Sequence, residues 1–558
     1  VVVDLERLHI ESLITNRYAR TNVIGEVVNK GEEQQDVPFI LHIPPGAFIS
    51  HFSVELNDET YIGKVGDIRN PEWQLAFASS TDGRQLSLVT KRDPTKDTFT
   101  MRVLGVAPES MVAFNLTYDE LLERRRGVYE HRINLWTGQA VDDLQVDIYI
   151  TEPQGIGELA FRYDPRTSEG EQTPLRVLRS DDYTAHMRYS PSKLEQEIYT
   201  PDGLEGDLVL EYDVLHSVDG SYTEVQDGYF VHFMSPSSYE RGLKHVVFVI
   251  DISSSMVGTK LRQVKSALNI ILDDLRPKDR FNILVFSDNI QYWRRNALLQ
   301  ATERNIEAAK IFVQGLLVQG ETNLGEAIIQ ADYLLDLQSG YLVDSEKILS
   351  MMYVLSDGQP TIGITDPAQL ARTVREAING EHALFCLGFG RNVSFDLLVQ
   401  LGLQNRGYAR RIYETADASK ELQSFYFEVS RPLIFDVEMT YESGVSNPAE
   451  LSKNRFPFYF EGSELSVAGR FVKNPSSFFL QSRVRGTTAT GQQYRGDTRR
   501  DIRVIAPELD SDHAVPGVVR RIWNMKTFQD LINQFAVTED PRSRQTLANR
   551  IADLAIRY

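Results

Sequence analysis

The spacing of hydrophobic residues changes along the chain and divides it into regions. In residues 1 to about 240, apolar residues alternate with polar ones in short runs between turn residues, which is typical of half-buried strands. We interpret one polar stretch, residues 118–126, as helical, with Arg124, Arg125 and Arg126 on a solvated face. Three alternating runs are clear, namely Phe99, Met101 and Val103; Val146, Ile148 and Ile150; and Leu208, Leu210 and Tyr212.

From about residue 244 the pattern changes to strands that alternate with helices. Residues 245–250 form an unbroken apolar run, as expected of a strand buried on both faces of a parallel sheet. The next apolar residues recur at helical spacing from Leu261 to Leu275. The remaining predicted strands are 281–286, 348–355 and 384–387, and the predicted helices include 302–316, 323–338 and 366–378. This alternation predicts a doubly wound parallel sheet, whose ligands bind beyond the carboxyl ends of the strands.

The strand pattern returns at about residue 432 and continues to about 506, with an exposed turn predicted at residues 486–496. Residues 517–558 have helical spacing. We therefore predict a multidomain protein in which a doubly wound α/β domain is flanked by all-β sandwich segments and followed by a helical segment. The predicted boundaries are 1–135, 136–243, 244–433, 434–510 and 511–558. The two β-rich segments on either side of the α/β domain are expected to form one sandwich.

Composition and charge exclude several classes of protein. The 558 residues are 42% hydrophobic and 25% charged, as in ordinary soluble domains. No apolar run is long enough to predict a membrane span. The net charge of -19 argues against binding to nucleic acid or to an anionic membrane, because both need basic patches.

The single cysteine, Cys386, excludes an intrachain disulfide and is interpreted as a small buried hydrophobic residue. Two tripeptides match the glycosylation signal, at Asn115 and Asn392, and weakly favour secretion. No signal peptide precedes Val1, so we expect a mature, processed chain.

Candidate chemistry lies at the carboxyl edge of the predicted parallel sheet. Asp251, Ser253 and Ser255 follow its first strand, Asp357 follows a later strand, and Thr322 lies in a loop before a helix. Hard cations such as Mg²⁺ take about six oxygen ligands in octahedral geometry. These five residues therefore predict a site for Mg²⁺ or Mn²⁺, with the three hydroxyls as direct ligands and the two carboxylates acting mainly through water.

The residue types of this predicted site favour adhesion over catalysis. Three neutral hydroxyl ligands leave the cation under-neutralised, so an open coordination position would attract an acidic side chain of a partner protein. A hydrolase is the alternative, because Ser255 lies near Asp251 and a metal can activate water. However, no Gly-x-Ser-x-Gly elbow and no evident histidine base accompany that serine, so we predict a binding protein and not an enzyme.

The order of motifs resembles that of inter-alpha-trypsin inhibitor heavy chains. Residues 245–433 are similar to a von Willebrand factor A domain, whose metal-ion-dependent adhesion site (MIDAS) matches the five residues above. The resemblance to the family's N-terminal VIT domain and to later parts of the heavy chains is carried by these segments: Asn16-Arg17-Tyr18-Ala19-Arg20-Thr21, Pro44-Pro45-Gly46-Ala47-Phe48-Ile49-Ser50, Leu116-Thr117-Tyr118-Asp119-Glu120-Leu121-Leu122, Glu152-Pro153-Gln154-Gly155-Ile156, Gly462-Ser463-Glu464, Ala468-Gly469-Arg470 and Arg521-Ile522-Trp523.

This resemblance implies a secreted plasma or extracellular-matrix protein that associates with hyaluronan and with a hyaluronan-binding link-module protein. It also implies a separate Kunitz-type light chain that carries the inhibitory activity, since one cysteine cannot build that module. The family's ester-forming Asp-Pro-His-Phe tail has no match, because Asp540-Pro541 is followed by Arg542. The alternative is a VIT and A-domain protein of a cell surface or an intracellular assembly, without hyaluronan linkage.

A weaker signal is the tripeptide Arg495-Gly496-Asp497, at the end of the predicted turn. An integrin would recognise such a tripeptide if the turn displayed it. Chance occurrence is common in a chain of this length, so we treat it as a minor hypothesis.

Overall fold

A computed structural model shows the arrangement of these elements. The residues it describes are 3–44, 46–63, 76–79, 85–93, 98–165, 173–179, 181–199, 203–217, 219–237, 239–339, 347–357, 359–390, 393–412, 418–442, 446–471, 479–501 and 513–557. The predicted glycosylation residue Asn392 lies outside the described residues. Among the described helices, none has the length and apolar composition needed to cross a membrane.

The N-terminal part of the chain is almost entirely β-structure. Its elements are β1 (Val3–Thr15), β2 (Tyr18–Asn29), β3 (Gln35–His42), β4 (Phe48–Leu56), β5 (Glu59–Ile62), β6 (Ala76–Ser79), β7 (Gln85–Asp93), β8 (Thr98–Val106), β9 (Met111–Leu121), β10 (Arg124–Arg125), β11 (Val128–Trp136), β12 (Asp143–Thr151), β13 (Ile156–Pro165), β14 (Thr173–Pro174), β15 (Val177–Arg179), β16 (Thr184–Tyr189), α1 (Lys193–Tyr199) and β17 (Glu205–Val214).

The α/β region follows a short hairpin and precedes a second β-rich region. The elements are β18 (Ser221–Gln226), β19 (Tyr229–Met234), β20 (Leu243–Asp251), α2 (Thr259–Asp273), β21 (Arg280–Phe286), β22 (Ile290–Tyr292), β23 (Leu299–Gln300), α3 (Glu303–Gln314), α4 (Leu324–Ser339), β24 (Ile348–Ser356), α5 (Pro367–Ile378), β25 (Ala383–Phe389), α6 (Phe395–Gln404), β26 (Ala409–Ile412), α7 (Ala418–Val429), β27 (Pro432–Tyr441), β28 (Ser446–Leu451), β29 (Arg455–Phe460), β30 (Leu465–Phe471), β31 (Phe479–Thr488), β32 (Gln493–Asp501), α8 (Val518–Val537) and α9 (Pro541–Arg557).

The predicted fold class is confirmed, because a doubly wound α/β domain lies between β-sandwich regions and a helical segment follows. Its parallel strands have the order β21-β20-β24-β25-β26, with β22 and β23 antiparallel to β21. Apolar residues of α2, α3 and α7 pack on one face of this sheet, and those of α4, α5 and α6 pack on the other. Residues 246–250 of β20 are fully buried, as their unbroken apolar run predicts.

Strand pairing divides the β-rich regions at a different place from the predicted boundary at 135/136. Strand β12 joins β1 in the first sheet, and β17 lies between β11 and β13 in a second sheet. One apolar core contains residues from Leu8 to Val214. The N-terminal β domain therefore continues to about residue 214, because strands on both sides of the predicted boundary pair with each other.

The sandwich around the α/β domain is correspondingly smaller than predicted. One sheet has the strand order β18-β19-β30-β28, and the other has the order β29-β27-β31-β32. Among the strands that the structure describes, only the hairpin from Ser221 to Met234 comes from the N-terminal side of the α/β domain. The chain enters and leaves that domain side by side, since the Gly242 amide donates to the carbonyl of Pro432 at 2.8 Å.

The expected helix over residues 118–126 is wrong. Residues 111–121 form β9, a central strand between β2 and β4, and residues 124–125 form the short strand β10. Phe114, Leu116 and Tyr118 point into the core, at the spacing of a strand. The polar residues that suggested a helix face belong instead to the strand's other side or to its end, where Arg124 donates two hydrogen bonds to Asp213.

Arg17 ties the N-terminal β domain to the sandwich. Asn16 and Arg17 both have positive φ (52° and 65°), which is the conformation of a two-residue hairpin turn. The fully buried Arg17 guanidinium lies 3.3 Å from a Glu152 oxygen and 3.2 Å from a Glu464 oxygen, and it donates to the Tyr129 hydroxyl at 3.2 Å. We call these four side chains the Arg17 junction.

Helix α8 fastens the α/β domain to the sandwich from the side. It packs on β18, β19 and β30 of the sandwich and also on α6 of the α/β domain. In the loop after α8, Glu539 forms ion pairs with Arg372 (3.2 Å) and Arg375 (3.0 Å) of α5. The predicted helical segment is therefore a bridge between the two regions.

Candidate metal-ion site

The five predicted ligands lie on three loops at the carboxyl edge of the parallel sheet. In the sheet register, Asp251 at the end of β20 is level with Phe286, and Ile250 is level with Leu355 of β24. Parallel strands that end at the same level bring their following loops together. The loop after β20 therefore starts beside Ser356 and Asp357 at the end of β24.

Hydrogen bonds hold the Asp251 carboxylate in place. One of its oxygens accepts from the Ser253 amide (2.8 Å), and the other accepts from the Ser356 hydroxyl (2.6 Å). Asp251 is fully buried, and burial raises the pKa of its carboxyl to about 6, with the nearby Asp357 contributing in the same direction. Both hydrogen-bond donors are neutral, so the negative charge of this carboxylate has no cationic partner among the described residues.

The two predicted serine ligands lie side by side. The Ser253 and Ser255 hydroxyl oxygens are 3.0 Å apart, and Ser253 is buried while Ser255 is exposed. A short 3₁₀ turn over Ser254–Met256 brings these alternate residues to the same side. The hydroxyl of Ser254, between them, turns away and donates to the carbonyl of Gly320 at 2.9 Å.

The loop that carries Thr322 is fastened from both sides. The Thr322 amide donates to the Thr361 hydroxyl at 2.8 Å, and the Thr361 amide donates to the Thr322 carbonyl at 3.0 Å. Two residues earlier, Gly320 has φ +69°, and a Cβ there would lie 2.5 Å from the Asp288 carboxylate. Glycine fits that position, which lets the Thr322 loop lie against Asp288 in the loop after β21.

Asp357 carries an unsatisfied buried atom. Its side chain is 7% exposed, and its Oδ1 atom is buried without a hydrogen-bond partner. A buried carboxylate oxygen without a partner is costly, so such an atom marks a place where a cation or ordered water completes the structure. The Asp357 carboxylate interacts with that of Asp251, whose hydrogen-bond donors are both neutral, so the two give this edge a local negative charge.

The donor set fits a hard divalent cation. Neighbouring ligands of an octahedral Mg²⁺ ion at about 2.1 Å lie about 3.0 Å apart, which is the separation of the Ser253 and Ser255 hydroxyl oxygens. Hydroxyl and carboxylate oxygens are the ligands that such ions prefer. We call Asp251, Ser253, Ser255, Thr322 and Asp357 the carboxyl-edge cluster.

Sequence reasoning missed Ser356 and Asp288. Ser356 precedes Asp357 and orients Asp251, and this role follows from strand register, which a single sequence does not reveal. Asp288 accepts a hydrogen bond from the amide of Glu321, beside Thr322, and so supports the loop of a predicted ligand. The only sequence signal for Ser356 is its position at a strand end, directly before the predicted ligand Asp357. The sequence carries no comparable signal for Asp288.

The weaker predicted sites have less favourable positions. Asn115 lies within the central strand β9, is half-buried, and has a buried Oδ1 atom without a hydrogen-bond partner. The turn predicted at residues 486–496 is shorter, because β31 and β32 pair up to Thr487 and Gln493. Arg495, Gly496 and Asp497 therefore lie within the edge strand β32, and Asp497 accepts from Arg485 at 2.8 Å.

Cys386 lies in β25 and is fully buried, in agreement with its interpretation as a small hydrophobic residue. Burial raises the pKa of its thiol well above the ordinary value, so the reactive thiolate is disfavoured at neutral pH.

Two known domain families match parts of the chain. Residues 5–118 match the Vault protein inter-alpha-trypsin domain (VIT), and residues 245–427 match the von Willebrand factor type A domain. The second match contains all five residues of the carboxyl-edge cluster.

Curated relatives are similar over the whole chain. The identity is 35% over 561 residues to inter-alpha-trypsin inhibitor heavy chain H4 of Homo sapiens, a match that covers 100% of this chain and 59% of the relative. It is 32% over 558 residues to heavy chain H2 of Homo sapiens, covering 99% of this chain and 58% of the relative. The chain thus spans less than two thirds of the length of these relatives. Among solved structures, a von Willebrand factor type A protein from Catenulispora acidiphila is 17% identical, with a TM-score of 0.42 over 60% of this chain and 86% of that one.

Proposed function

The chain belongs to the inter-alpha-trypsin inhibitor heavy chain family, and we propose that it binds an acidic side chain of a partner protein through a divalent cation held by the carboxyl-edge cluster. Three loops of the von Willebrand factor type A domain contribute to this cluster. The single observation that carries the proposal is the pair of hydroxyl oxygens of Ser253 and Ser255, 3.0 Å apart, at an edge where Asp357 has an unpartnered buried oxygen.

The residues of the cluster divide the work of holding the ion. Ser253, Ser255 and Thr322 offer neutral hydroxyl oxygens as direct ligands, and Asp251 and Asp357 supply negative charge behind them. When bound, Mg²⁺ or Mn²⁺ supplies a positive charge and a coordination position for an incoming carboxylate. Because the direct ligands are neutral, the site keeps enough positive charge to favour a carboxylate over a neutral amide or hydroxyl.

Exposure supports a ligand-binding role over a purely structural one. Ser255 is exposed to solvent, whereas Ser253, Thr322 and the two aspartates are buried. The cluster therefore has a buried side that holds charge and an open side that a partner can reach. A structural ion site would be closed by protein ligands on all sides.

The first experiment measures metal binding. We expect isothermal titration of the metal-free chain with Mn²⁺ to give saturable binding that Asp357→Asn and Ser255→Ala weaken strongly. The matched control is Ser254→Ala, which removes a hydroxyl from the same loop that is not a predicted ligand. Equal Mn²⁺ affinity in wild type, Ser255→Ala and Asp357→Asn would reject the site.

The second experiment tests the acidic ligand. A library of displayed peptides, each centred on Asp or Glu, is compared with the same peptides carrying Asn or Gln. We expect enrichment of acidic peptides in Mn²⁺ and its loss in EDTA or in Ser255→Ala. Enrichment that survives EDTA, or that is the same for the amide peptides, would contradict binding through the cation.

The wider biology is proposed from family membership alone. We propose that the protein is secreted, is not an enzyme, and works in the extracellular matrix with hyaluronan, a link-module protein and a Kunitz-type light chain as partners. With a net charge of -19, we expect weak direct binding to hyaluronan, so that a partner protein is needed for attachment. Retention of the purified chain alone on immobilised hyaluronan at physiological salt would contradict that expectation.

A further inference from the structure

A second cluster of metal-ligand side chains lies at the amino edge of the same sheet, away from the carboxyl-edge cluster. We name it the amino-edge cluster, and it consists of Asp332, Asp336, Glu381 and His382. Asp332 and Asp336 are one helical turn apart near the end of α4, and His382 directly precedes β25. Ligand atoms of Asp336, Glu381 and His382 all lie within 4.8 Å of one another.

The backbone presents this cluster from two directions. Helix α5 ends at Ile378, its C-cap residue Asn379 has a left-handed conformation (φ 48°), and Gly380 follows with φ 74°. This reversal, closed by a hydrogen bond from the Glu381 amide to the Ile378 carbonyl (2.9 Å), turns Glu381 and His382 toward α4. Residues three or four apart on a helix share a face, so both aspartates of α4 lie on the side that meets them.

The imidazole of His382 is shared by two carboxylates. Its Nε2 atom lies 3.0 Å from an Asp336 oxygen and 3.8 Å from Asp332 Oδ1. Two ligands of a tetrahedral zinc ion at about 2.0–2.1 Å lie about 3.3 Å apart, between these two distances. Small side-chain adjustments would therefore bring the three groups around one ion.

Asp332 is the second, independent observation. Its side chain is 9% exposed, it faces His382, and its Oδ1 atom has no hydrogen-bond partner. The His382 contact of 3.8 Å is too long for a hydrogen bond. A buried carboxylate in this position is costly unless a cation neutralises it, and Asp336 and Glu381 add further negative charge beside it.

We propose that the amino-edge cluster binds a Zn²⁺-type transition-metal ion. An imidazole nitrogen combined with carboxylate oxygens is a donor set for such ions, whereas Mg²⁺ and Ca²⁺ prefer oxygen alone. The ion would link α4 to the loop before β25. This site is independent of the function proposed for the carboxyl-edge cluster.

The environment of His382 also sets the expected strength of binding. Its Nδ1 atom is buried and has no hydrogen-bond partner. Histidine ligands usually donate the other ring N–H to an acceptor, and loss of that partner commonly lowers metal affinity roughly 10- to 100-fold. We therefore expect weaker binding than at a structural zinc site that has a complete hydrogen-bond shell.

The test uses the full chain, freed of metal and then kept in millimolar Mg²⁺ so that hard-cation sites are saturated. Titration calorimetry with Zn²⁺ should show one equivalent bound. Asp336→Asn changes a half-exposed ligand without changing its shape, and we expect it to weaken Zn²⁺ binding by more than roughly 10- to 100-fold. The matched control is Glu376→Gln, which changes an exposed carboxylate of α5 and should leave the affinity unchanged.

A second readout keeps the result independent of folding effects. Co²⁺ in place of Zn²⁺ should give the intense visible absorption bands of a four-coordinate site, and His382→Gln should abolish them. The same titration in Ser255→Ala separates the two sites, because Zn²⁺ binding should persist there. The proposal is overturned if no saturable Zn²⁺ binding remains in Mg²⁺, if Asp336→Asn binds Zn²⁺ like wild type, or if Ser255→Ala alone removes it.

Discussion

The Arg17 junction and the carboxyl-edge cluster both bury charged side chains, but they balance those charges differently. At the junction, the Arg17 guanidinium lies within 3.3 Å of an oxygen of Glu152 and of Glu464. At the carboxyl edge, Asp251 accepts hydrogen bonds only from neutral groups, and Asp357 has a buried oxygen without a partner. Buried carboxylates that have a cationic partner within the protein serve the fold, whereas buried carboxylates without one are available to a metal ion, as we propose for the carboxyl-edge cluster.

The largest expected change in the free energy of unfolding comes from disrupting the Arg17 junction. Replacing Arg17 by Met leaves Glu152 and Glu464 buried without a counter-charge, and removing one partner of a buried pair typically costs about 3–5 kcal/mol. The free energy of unfolding, measured by urea titration with tryptophan fluorescence, should fall by that amount, and the midpoint should move to lower urea. Arg132→Met is the matched control, since its side chain is 41% exposed and surface pairs contribute about 0–1 kcal/mol. Equal shifts in the two variants would contradict the structural role of the junction.

A fall in pH should also lower the free energy of unfolding of the region around the Arg17 junction. His232, next to the ring of Phe233 that packs on Arg17, is fully buried between the Ser221 and Tyr441 hydroxyls, and burial lowers its pKa to about 4. The unfolded histidine titrates near 6.5, so the unfolded state binds more protons as the pH falls from 6.5 to 4, and stability is lost over that window. The loss should reach about 3 kcal/mol near pH 4. Unfolding midpoints of His232→Gln should be less dependent on pH over this range, and an unchanged dependence would refute the assignment.

Of the two regions compared, Mg²⁺ or Mn²⁺ should stabilise only the A domain, which contains the carboxyl-edge cluster. A ligand at 100 times its dissociation constant stabilises the state that binds it by about 2.7 kcal/mol. Calorimetric scans should therefore show the A-domain transition moving to higher temperature in saturating Mg²⁺ or Mn²⁺, while the transition that Arg17→Met affects stays in place. Identical scans in EDTA and in saturating metal would argue against occupancy of the site.

The smallest expected change in the free energy of unfolding has the opposite sign to that expected for Arg17→Met. In EDTA, Asp357→Asn removes a buried charge that has no partner, so the variant should be as stable as wild type or more stable, by up to about 1 kcal/mol. In saturating Mg²⁺ the order should reverse, because the variant loses the stabilisation by metal. Denaturant titrations of both proteins in both buffers measure this crossing. If Asp357→Asn is less stable than wild type in EDTA, the Asp357 carboxylate stabilises the fold without metal, which would contradict the proposal.

Much of the carboxyl-edge cluster could be predicted from the sequence, whereas little of the Arg17 junction could. The run of buried residues before Asp251 and the helical spacing after it depend on neighbours in the chain, so hydrophobic periodicity reveals them. Arg17 acquires its partners from Glu152 and Glu464, which are 135 and 447 residues away. A single sequence shows an arginine in a polar turn and offers no reason to bury it.

The errors have the same origin. Residues 118–126 contain many polar side chains and suggest a helix, but the neighbours of β9 in the sheet, β2 and β4, decide their conformation. The boundary predicted at residue 135 fails because β1 pairs with β12 across more than a hundred residues. The tripeptide Arg495-Gly496-Asp497 was expected at a turn, but pairing with β31 extends through it. Strand pairing is non-local, and this is the information that periodicity lacks.

Helix α8 gives the A domain a second attachment to the sandwich, in addition to the two chain crossings. The two crossings of the chain, at Gly242 and Pro432, lie side by side and alone would act as a hinge. Contacts of α8 with α6, and the ion pairs of Glu539 with α5, add a support away from that hinge. A domain attached at two places rotates less freely than one attached at a single place, so a force applied at the carboxyl edge would reach the sandwich through both attachments.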